Sequence, residues 1–417
     1  MSINIQKISD AITAKISAFD SSSSTSELVK IIESINNINA RSGVITAPSK
    51  NALPTADSSN TGSIAFVRST GHTDSAGTFY FGTGTTWDML KTPSDSADSA
   101  SANFIPSWSM AGKTYGYASG GTGNPSASIN RYPFAAETTN AVGVGNLQQA
   151  GSSSRQRRYG SNSSSEASGY IFGGQTSPAT PTLHNTTYVG KFPFASDTPA
   201  ETTAGGTLGQ NSTIGSATSM TQTDAYIMGG NRPGISSIIE KYTYASDAAS
   251  NLGGSLYQAS TRFTAASSVT HGYELSSYPP NSGNNRIAKF PFASHLSGGS
   301  TDIANLTVTV YNGMGLSSAT HAYHVGGFST TAPRSNVIEK MSFASEDNAT
   351  DVGDLTSGKY FRASSGAQSY THGYAVGGQG PSGRVNVIER FPFSVDGNGV
   401  DVGDLSAAIS NMYNHFV

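Results

Sequence analysis

Six tyrosines, Tyr117, Tyr170, Tyr226, Tyr273, Tyr323 and Tyr374, recur along the chain at steps of 53, 56, 47, 50 and 51 residues. Each sits in a short apolar run and is followed by a cation and an aromatic-x-aromatic triplet. The triplets end at Phe134, Phe194, Tyr244, Phe292, Phe343 and Phe393, at steps of 60, 50, 48, 51 and 50. Two separate markers thus keep one period near 50 residues. A period of this size belongs to propellers and solenoids, in which a unit buries its apolar face only against its neighbours.

The best-defined unit, 371–406, reads as strands. Thr371-His-Gly-Tyr-Ala-Val-Gly-Gly378 is one strand and its end, Asn386-Val-Ile-Glu-Arg-Phe-Pro-Phe393 is the next, and Val402-Gly-Asp-Leu405 leads into a third. Its leucine returns as Leu147, Leu208, Leu256, Leu306, Leu355 and Leu405, and a more variable fourth strand precedes each tyrosine. Four strands per unit and six units predict an all-β ring of blades. The chain stops at Leu405–Val417, the start of a unit whose remainder is absent, while the first tyrosine strand has little before it. Pairing the tail into the first blade would remove two open edges.

The 417 residues allow more than one domain. In residues 1–45, Ile5, Ile8, Ile12 and Ile16, then Leu28, Ile31, Ile35 and Ile38, recur at helical spacing. Ser24 with Glu27 fits a capping box, so the segment is predicted as two short helices for anchoring or oligomerisation. Residues 46–93 change period. Gly62–Val67, Gly77–Phe81 and Thr85–Leu90 read as strands of a small β-module, and 94–103 is small, polar and linker-like. The ring occupies 104–417. Only 12% of residues are charged and the formal charge is −3, which gives no global attraction to nucleic acid. No stretch is apolar enough for membrane insertion, no export signal is visible, and without cysteine there are neither disulfides nor thiolate metal sites.

The tyrosine strand, the glycine pair after it and the aromatic triplet resemble kelch repeats. Gly120-Gly121, Gly173-Gly174, Gly229-Gly230, Gly326-Gly327 and Gly377-Gly378 match the end of that family's second strand. The resemblance implies a six-bladed kelch-like β-propeller over about 310 residues. The fourth unit departs from it with Ser276-Ser277, and the repeated tryptophan of kelch units is absent, since the chain holds only Trp87 and Trp108. The segment around Ile64–Val67, Gly77–Phe81 and Thr86-Trp87 is similar to short β-modules of bacteriophage tail fibres and other virion proteins, particularly marine ones.

Candidate sites were weighed against plainer roles. Arg155, Arg157, Arg158 and Tyr159 form the one basic cluster, in the longest interval between units; the default reading is an exposed loop that only touches its neighbour, and the functional one a ligand-binding loop whose aromatic ring can stack on a sugar or base. Arg131, Lys191, Lys241, Lys289, Lys340 and Arg390 precede the triplets. A ring of six charges would attract an anionic polymer, but strand positions beside Glu240, Glu339 and Glu389, with Asp354 or Asp404 nearby, favour solvated or blade-bridging pairs. His271, His321 and His372 precede three tyrosines without recurring acidic ligands, so they are read as polar strand residues, not metal ligands. No catalytic set, metal site or cofactor is expected.

The expectation is a non-enzymatic virion component: a tail fibre, neck or capsid-associated appendage held to other virion proteins through residues 1–93, homo-oligomeric, and presenting the ring to a host-surface glycan. The rivals are a secreted or surface carbohydrate-binding lectin and a propeller glycosidase or sialidase.

Overall fold

A computed structural model describes the chain as two units, 1–107 and 108–417. The described residues are 45–47, 64–67, 78–82 and 87–90 in the first unit. In the second they are 111–417 except 124–126, 135–139, 148–155, 178–186, 197–201, 210–214, 233, 279–283, 295–298, 330–332 and 362–365. The helices expected in 1–45, with Ile5, Ile8, Ile12, Ile16, Leu28, Ile31, Ile35 and Ile38, and the linker 94–103 lie outside the described residues.

The first unit carries a four-stranded sheet in which Ile45–Ala47, Ile64–Val67, Thr78–Gly82 and Trp87–Leu90 are neighbours in that order. Its first pairing is parallel and the other two are antiparallel. Three of these strands are the ones read from the sequence. The parallel strand was not anticipated.

The second unit is a six-bladed β-propeller. Each blade is a four-stranded antiparallel sheet. Blade 6 shows the plan, with an inner strand at Ala367–Gln368, the tyrosine strand His372–Val376, the triplet strand Val387–Pro392 and an outer strand Val400–Asp404. Blade 1 is assembled from both ends of the unit. Tyr413–Phe416 is its inner strand and pairs antiparallel with Tyr115–Ser119, matching Tyr413 to Ser119 and Phe416 to Gly116. The tail therefore closes the ring, as its register implied.

The two periodic markers are halves of one contact. Every blade's tyrosine stacks on the last aromatic of the next blade's triplet. Tyr117 meets Phe194 at 4.9 Å between ring centroids, Tyr170 meets Tyr244 at 4.8 Å, and Tyr226 meets Phe292 at 4.6 Å. Tyr273–Phe343 and Tyr323–Phe393 follow at 4.9 Å each, and Tyr374 returns to Phe134 at 4.7 Å. Each pair adds about 0.5–1.5 kcal/mol beyond the apolar area it buries. All six tyrosines are buried, and burial pushes the hydroxyls of Tyr170, Tyr226 and Tyr323 up to about 12, so they stay neutral. The six recurrent leucines are buried as well.

Lateral hydrogen bonds join the blades at two radii. On the inner strands, Met220 N–H donates to Ser267 Oγ, Ser267 N–H to Ser317 Oγ, and Ser317 N–H to Gln368 Oε1. At the rim, Asn348, Asn398 and Asn140 each accept from the outer strand of the preceding blade, at the N–H of Asn305, Asp354 and Asp404. All six triplet-to-outer-strand pairings carry a register shift, for example between Ile388 and Glu389. Such bulges blunt the edges the propeller leaves exposed.

Candidate functional site

The tyrosine strand ends, the triplet strand begins and the outer strand returns toward the axis at one end of the blades, here called the upper end. In five blades the glycine pair terminates the tyrosine strand here with positive φ, as at Gly377 (57°) and Gly378 (108°). A side chain at Gly377 would bring its Cβ to 2.5 Å from Ile409 O. The fourth blade holds Ser276 in the same left-handed conformation (φ 57°). There the chain that follows runs as the long outer strand Thr301–Val310, with Val310 paired to Asn284.

Around the axis at this end runs a girdle of backbone hydrogen bonds. Gly215 N–H donates to Tyr159 O, Arg262 to Gly215 O, Asn312 to Arg262 O, Phe361 to Asn312 O, and Asn411 to Phe361 O, at 2.8–3.1 Å. Tyr159, Arg262, Asn312 and Asn411 hold positive φ between 57° and 67° to make it. For residues with a Cβ such conformations are costly, and they persist where surrounding structure over-determines them. Below the girdle, among the described residues, Thr218, Met220, Ser317, Gln368 and Phe416 line a cavity of about 10 Å³, enough for roughly one water.

Outside the girdle, four half-buried to buried rings form a belt across blades 4 to 6. Tyr278 lies 5.4 Å from Tyr311, Tyr311 5.4 Å from Phe328, and Phe328 5.5 Å from Tyr360. Backbone bridges Thr261–Tyr278, Tyr311–Phe328 and Tyr360–Gln379 fix their spacing. Four guanidiniums rest on tyrosine rings at this end: Arg158 on Tyr159 (5.0 Å), Arg262 on Tyr278 (4.9 Å), Arg286 on Tyr257 (5.0 Å) and Arg334 on Tyr360 (5.9 Å). Of these only Arg286 has a carboxylate partner among the described residues, Glu274 at 3.4 Å.

Of the predicted cluster, Arg158 and Tyr159 thus stand at the upper end. The protruding loop is corrected in part: Gln156–Arg158 is a short strand paired with Gln175–Ser177. Arg155 lies outside the described residues, and Arg157 is placed by its backbone only.

The expected surroundings of the triplet cations also need correction. Glu240, Glu339 and Glu389 are fully buried, not solvated partners of their neighbours. Their carboxylates receive the link arriving from the preceding blade, Gly209 N–H, Thr307 N–H and Thr356 N–H respectively. Glu389 also pairs with buried Lys359, and His324 Nδ1 lies 3.3 Å from Glu339. The cations bridge elsewhere. Lys191 pairs with Asp247, Lys289 with Glu346 and Lys340 with Asp396, each across to the following blade, while Lys241 pairs with Asp224 in its own. Asp354 and Asp404 are not those partners. Arg131 lies over Tyr115, 4.7 Å from its centroid.

His271, His321 and His372 sit at the lower end, each with Nδ1 2.8 Å from the hydroxyl of the preceding threonine. Partial burial and a nearby lysine lower the basicity of His271 and His321. Among the described residues no three His, Asp or Glu side chains converge as metal ligands. Glu274 has a carboxyl raised to about 7, first by burial and against the pull of Ser260 and Arg286. With 1% of its surface exposed it reaches no substrate as placed.

No family model matches the chain, and no curated protein matches its sequence. Among solved structures it is similar to that titled "Structure of YjhT", with a TM-score of 0.51 and 12% identity over 66% of this chain and 95% of that one. The likeness is one of fold. It supports the six-bladed propeller and carries no substrate, partner or kelch or phage membership with it.

The belt and the Arg–Tyr pairs were missed by sequence reasoning, although a signal existed. Tyr311 and Tyr360 both lie five residues after the recurrent leucine, and Phe328 directly follows the glycine pair.

Proposed function

We propose that the chain is a non-enzymatic binding protein of a bacteriophage particle, an appendage attached through residues 1–93 whose propeller presents its upper face to a host-surface glycan. The attachment half rests on the sequence resemblance of the small β-module to virion proteins. The binding half rests on the upper face, where Arg158, Arg262 and Arg334 lie on tyrosine rings without an acidic partner among the described residues, beside the belt of Tyr278, Tyr311, Phe328 and Tyr360. Virion appendages present several copies, and linked weak sites gain effective concentration. The buried inter-blade carboxylates favour binding over catalysis, because Glu240, Glu339 and Glu389 serve the blade links and face no open cleft.

The test is incorporation. Purified particles should contain the protein, and deleting residues 1–45 should abolish its incorporation while the propeller still folds. A truncated protein that incorporates normally refutes the anchoring role, and hydrolysis of host glycan by the purified chain refutes the non-enzymatic reading in favour of the glycosidase alternative.

A further inference from the structure

The distribution of compensated and uncompensated cations points to a ligand class. At the lower and outer positions, Lys191, Lys241, Lys289 and Lys340 each meet an acid. Buried Lys359 meets Glu389, and at the upper end itself Arg286 meets Glu274. At the upper end, Arg158, Arg262 and Arg334 have no acidic partner among the described residues, in a chain whose formal charge is −3. Three guanidiniums on the face that carries the aromatic belt thus have no acid beside them among the described residues.

We propose that the upper face of blades 4 to 6 is a binding site for a carboxylated polysaccharide, with Arg262 and Arg334 as the carboxylate-recognising groups and the half-buried rings of Tyr278, Phe328 and Tyr360 as the stacking surface. This rests on the binding half of the functional reading and is independent of the attachment half. A guanidinium offers a planar fork that matches a carboxylate with two parallel hydrogen bonds. Laid on a tyrosine, it is held in one orientation, so little side-chain entropy remains to be lost on binding. The two arginines bracket the belt, Arg262 at the Tyr278 end and Arg334 at the Tyr360 end, with centroid steps of 5.4, 5.4 and 5.5 Å between successive rings. This is the span of several sugar residues, which suits a polymer lying across the blades better than a single sugar on the axis.

The experiment uses the full chain and titration calorimetry with polygalacturonate, set against the same polymer with its carboxylates reduced to alcohols. The wild type should bind the polyuronate, lose most of that affinity when salt rises from roughly 50 to 500 mM, and bind the reduced polymer at least about tenfold more weakly. Arg262→Gln and Arg334→Gln should each weaken binding by about tenfold, and Tyr360→Ala comparably. Lys340→Gln, at a compensated site, should leave it unchanged, with melting temperatures showing that all variants are folded. Equal affinity for the two polymers, no binding to the polyuronate, or an equal loss in Lys340→Gln overturns the proposal. Adsorption to host cells separates the two readings. If Arg262→Gln/Arg334→Gln abolishes adsorption while polyuronate does not bind, the ligand class fails and the binding face stands; if adsorption is untouched, the face itself is wrong.

Discussion

Acidification should act on the latch of the ring in a way the whole-protein pH profile conceals. His415 lies in the closing strand, fully buried, with Nδ1 3.0 Å from Ser163 O, Nε2 3.3 Å from Ser119 Oγ, and the Phe192 ring edge-on at 5.0 Å. Since a carbonyl only accepts, Nδ1 carries the proton and Nε2 accepts from the serine. Burial lowers the imidazole from 6.5 to about 4. The folded chain therefore binds fewer protons here than the unfolded chain, and stability present above pH 6.5 is lost as pH falls toward 4. Between pH 7 and 5 the loss is about 2 kcal/mol. Glu274 works in the opposite sense. Its carboxyl is raised from 4.5 to about 7 by burial. The folded chain holds the extra proton, so stability falls as pH rises from 4.5 to 7, and acidification from pH 7 to 5 returns about 2 kcal/mol. The two nearly cancel. Urea unfolding at pH 5 and pH 7 should show His415→Gln gaining about 2 kcal/mol on acidification relative to the wild type and Glu274→Gln losing about 2 kcal/mol relative to it, since every other titrating group is common to the three proteins. If either variant keeps the wild-type pH dependence, that group does not titrate as its burial requires.

Two further outcomes follow from the blade junctions. Ser276→Gly should stabilise the propeller by about 1 kcal/mol in urea unfolding, because Ser276 sits at φ 57° with a buried hydroxyl that lacks a partner; the reverse change, Gly377→Ala, should cost roughly 2 kcal/mol or more by placing a Cβ against Ile409 O, and a gain there would contradict the geometry. Lys359→Met should cost about 3 kcal/mol by stranding the Glu389 carboxylate between blades 5 and 6, and adding Glu389→Gln should recover part of that loss; strictly additive losses would show that the two side chains are not coupled.

The ring was legible because its defining contact repeats. The tyrosine and the triplet aromatic are read at one period, and their stacking between successive blades is what makes the period necessary. Closure was legible for the same reason, since Tyr413–Phe416 occupies in blade 1 the place that Ala367–Gln368 occupies in blade 6. What escaped was polarity inside the blade interfaces. Alternation along a strand implies one wet face, but a propeller blade packs on both faces, and Ile338-Glu339-Lys340 puts its glutamate into the interface and only its lysine toward solvent. The carboxylate belongs there because the link from the preceding blade brings Thr307 N–H to it, a pairing some 30 residues distant in sequence. Asn140, Asn348 and Asn398, each seven residues before a recurrent leucine, were equally readable as a repeat, but their role depends on the neighbouring blade.

The two ends of the propeller divide the work between closure and recognition. Lys191, Lys289 and Lys340 are neutralised across blade boundaries, so their charges serve closure. At the upper end the backbone itself does the joining, through the girdle that runs from Tyr159 to Asn411, at the cost of left-handed conformations in four residues that carry side chains. Main-chain groups close the ring around the axis here, and Arg262, a girdle residue, lays its guanidinium on Tyr278 and not on an acid. A face whose backbone is fixed and whose arginines are stacked before any ligand arrives loses little conformational entropy on binding. Relaxing the girdle should therefore weaken binding without touching a ligand-facing group. Asn312 is the position to change, since it is buried, lies at φ 59°, and both accepts and donates a girdle bond through its backbone. A β-branched residue opposes that conformation most, so Asn312→Val should lower the affinity for polyuronate while Arg262, Arg334 and the belt remain present. Unchanged affinity in a folded Asn312→Val variant would show that the rigidity of the girdle plays no part in recognition.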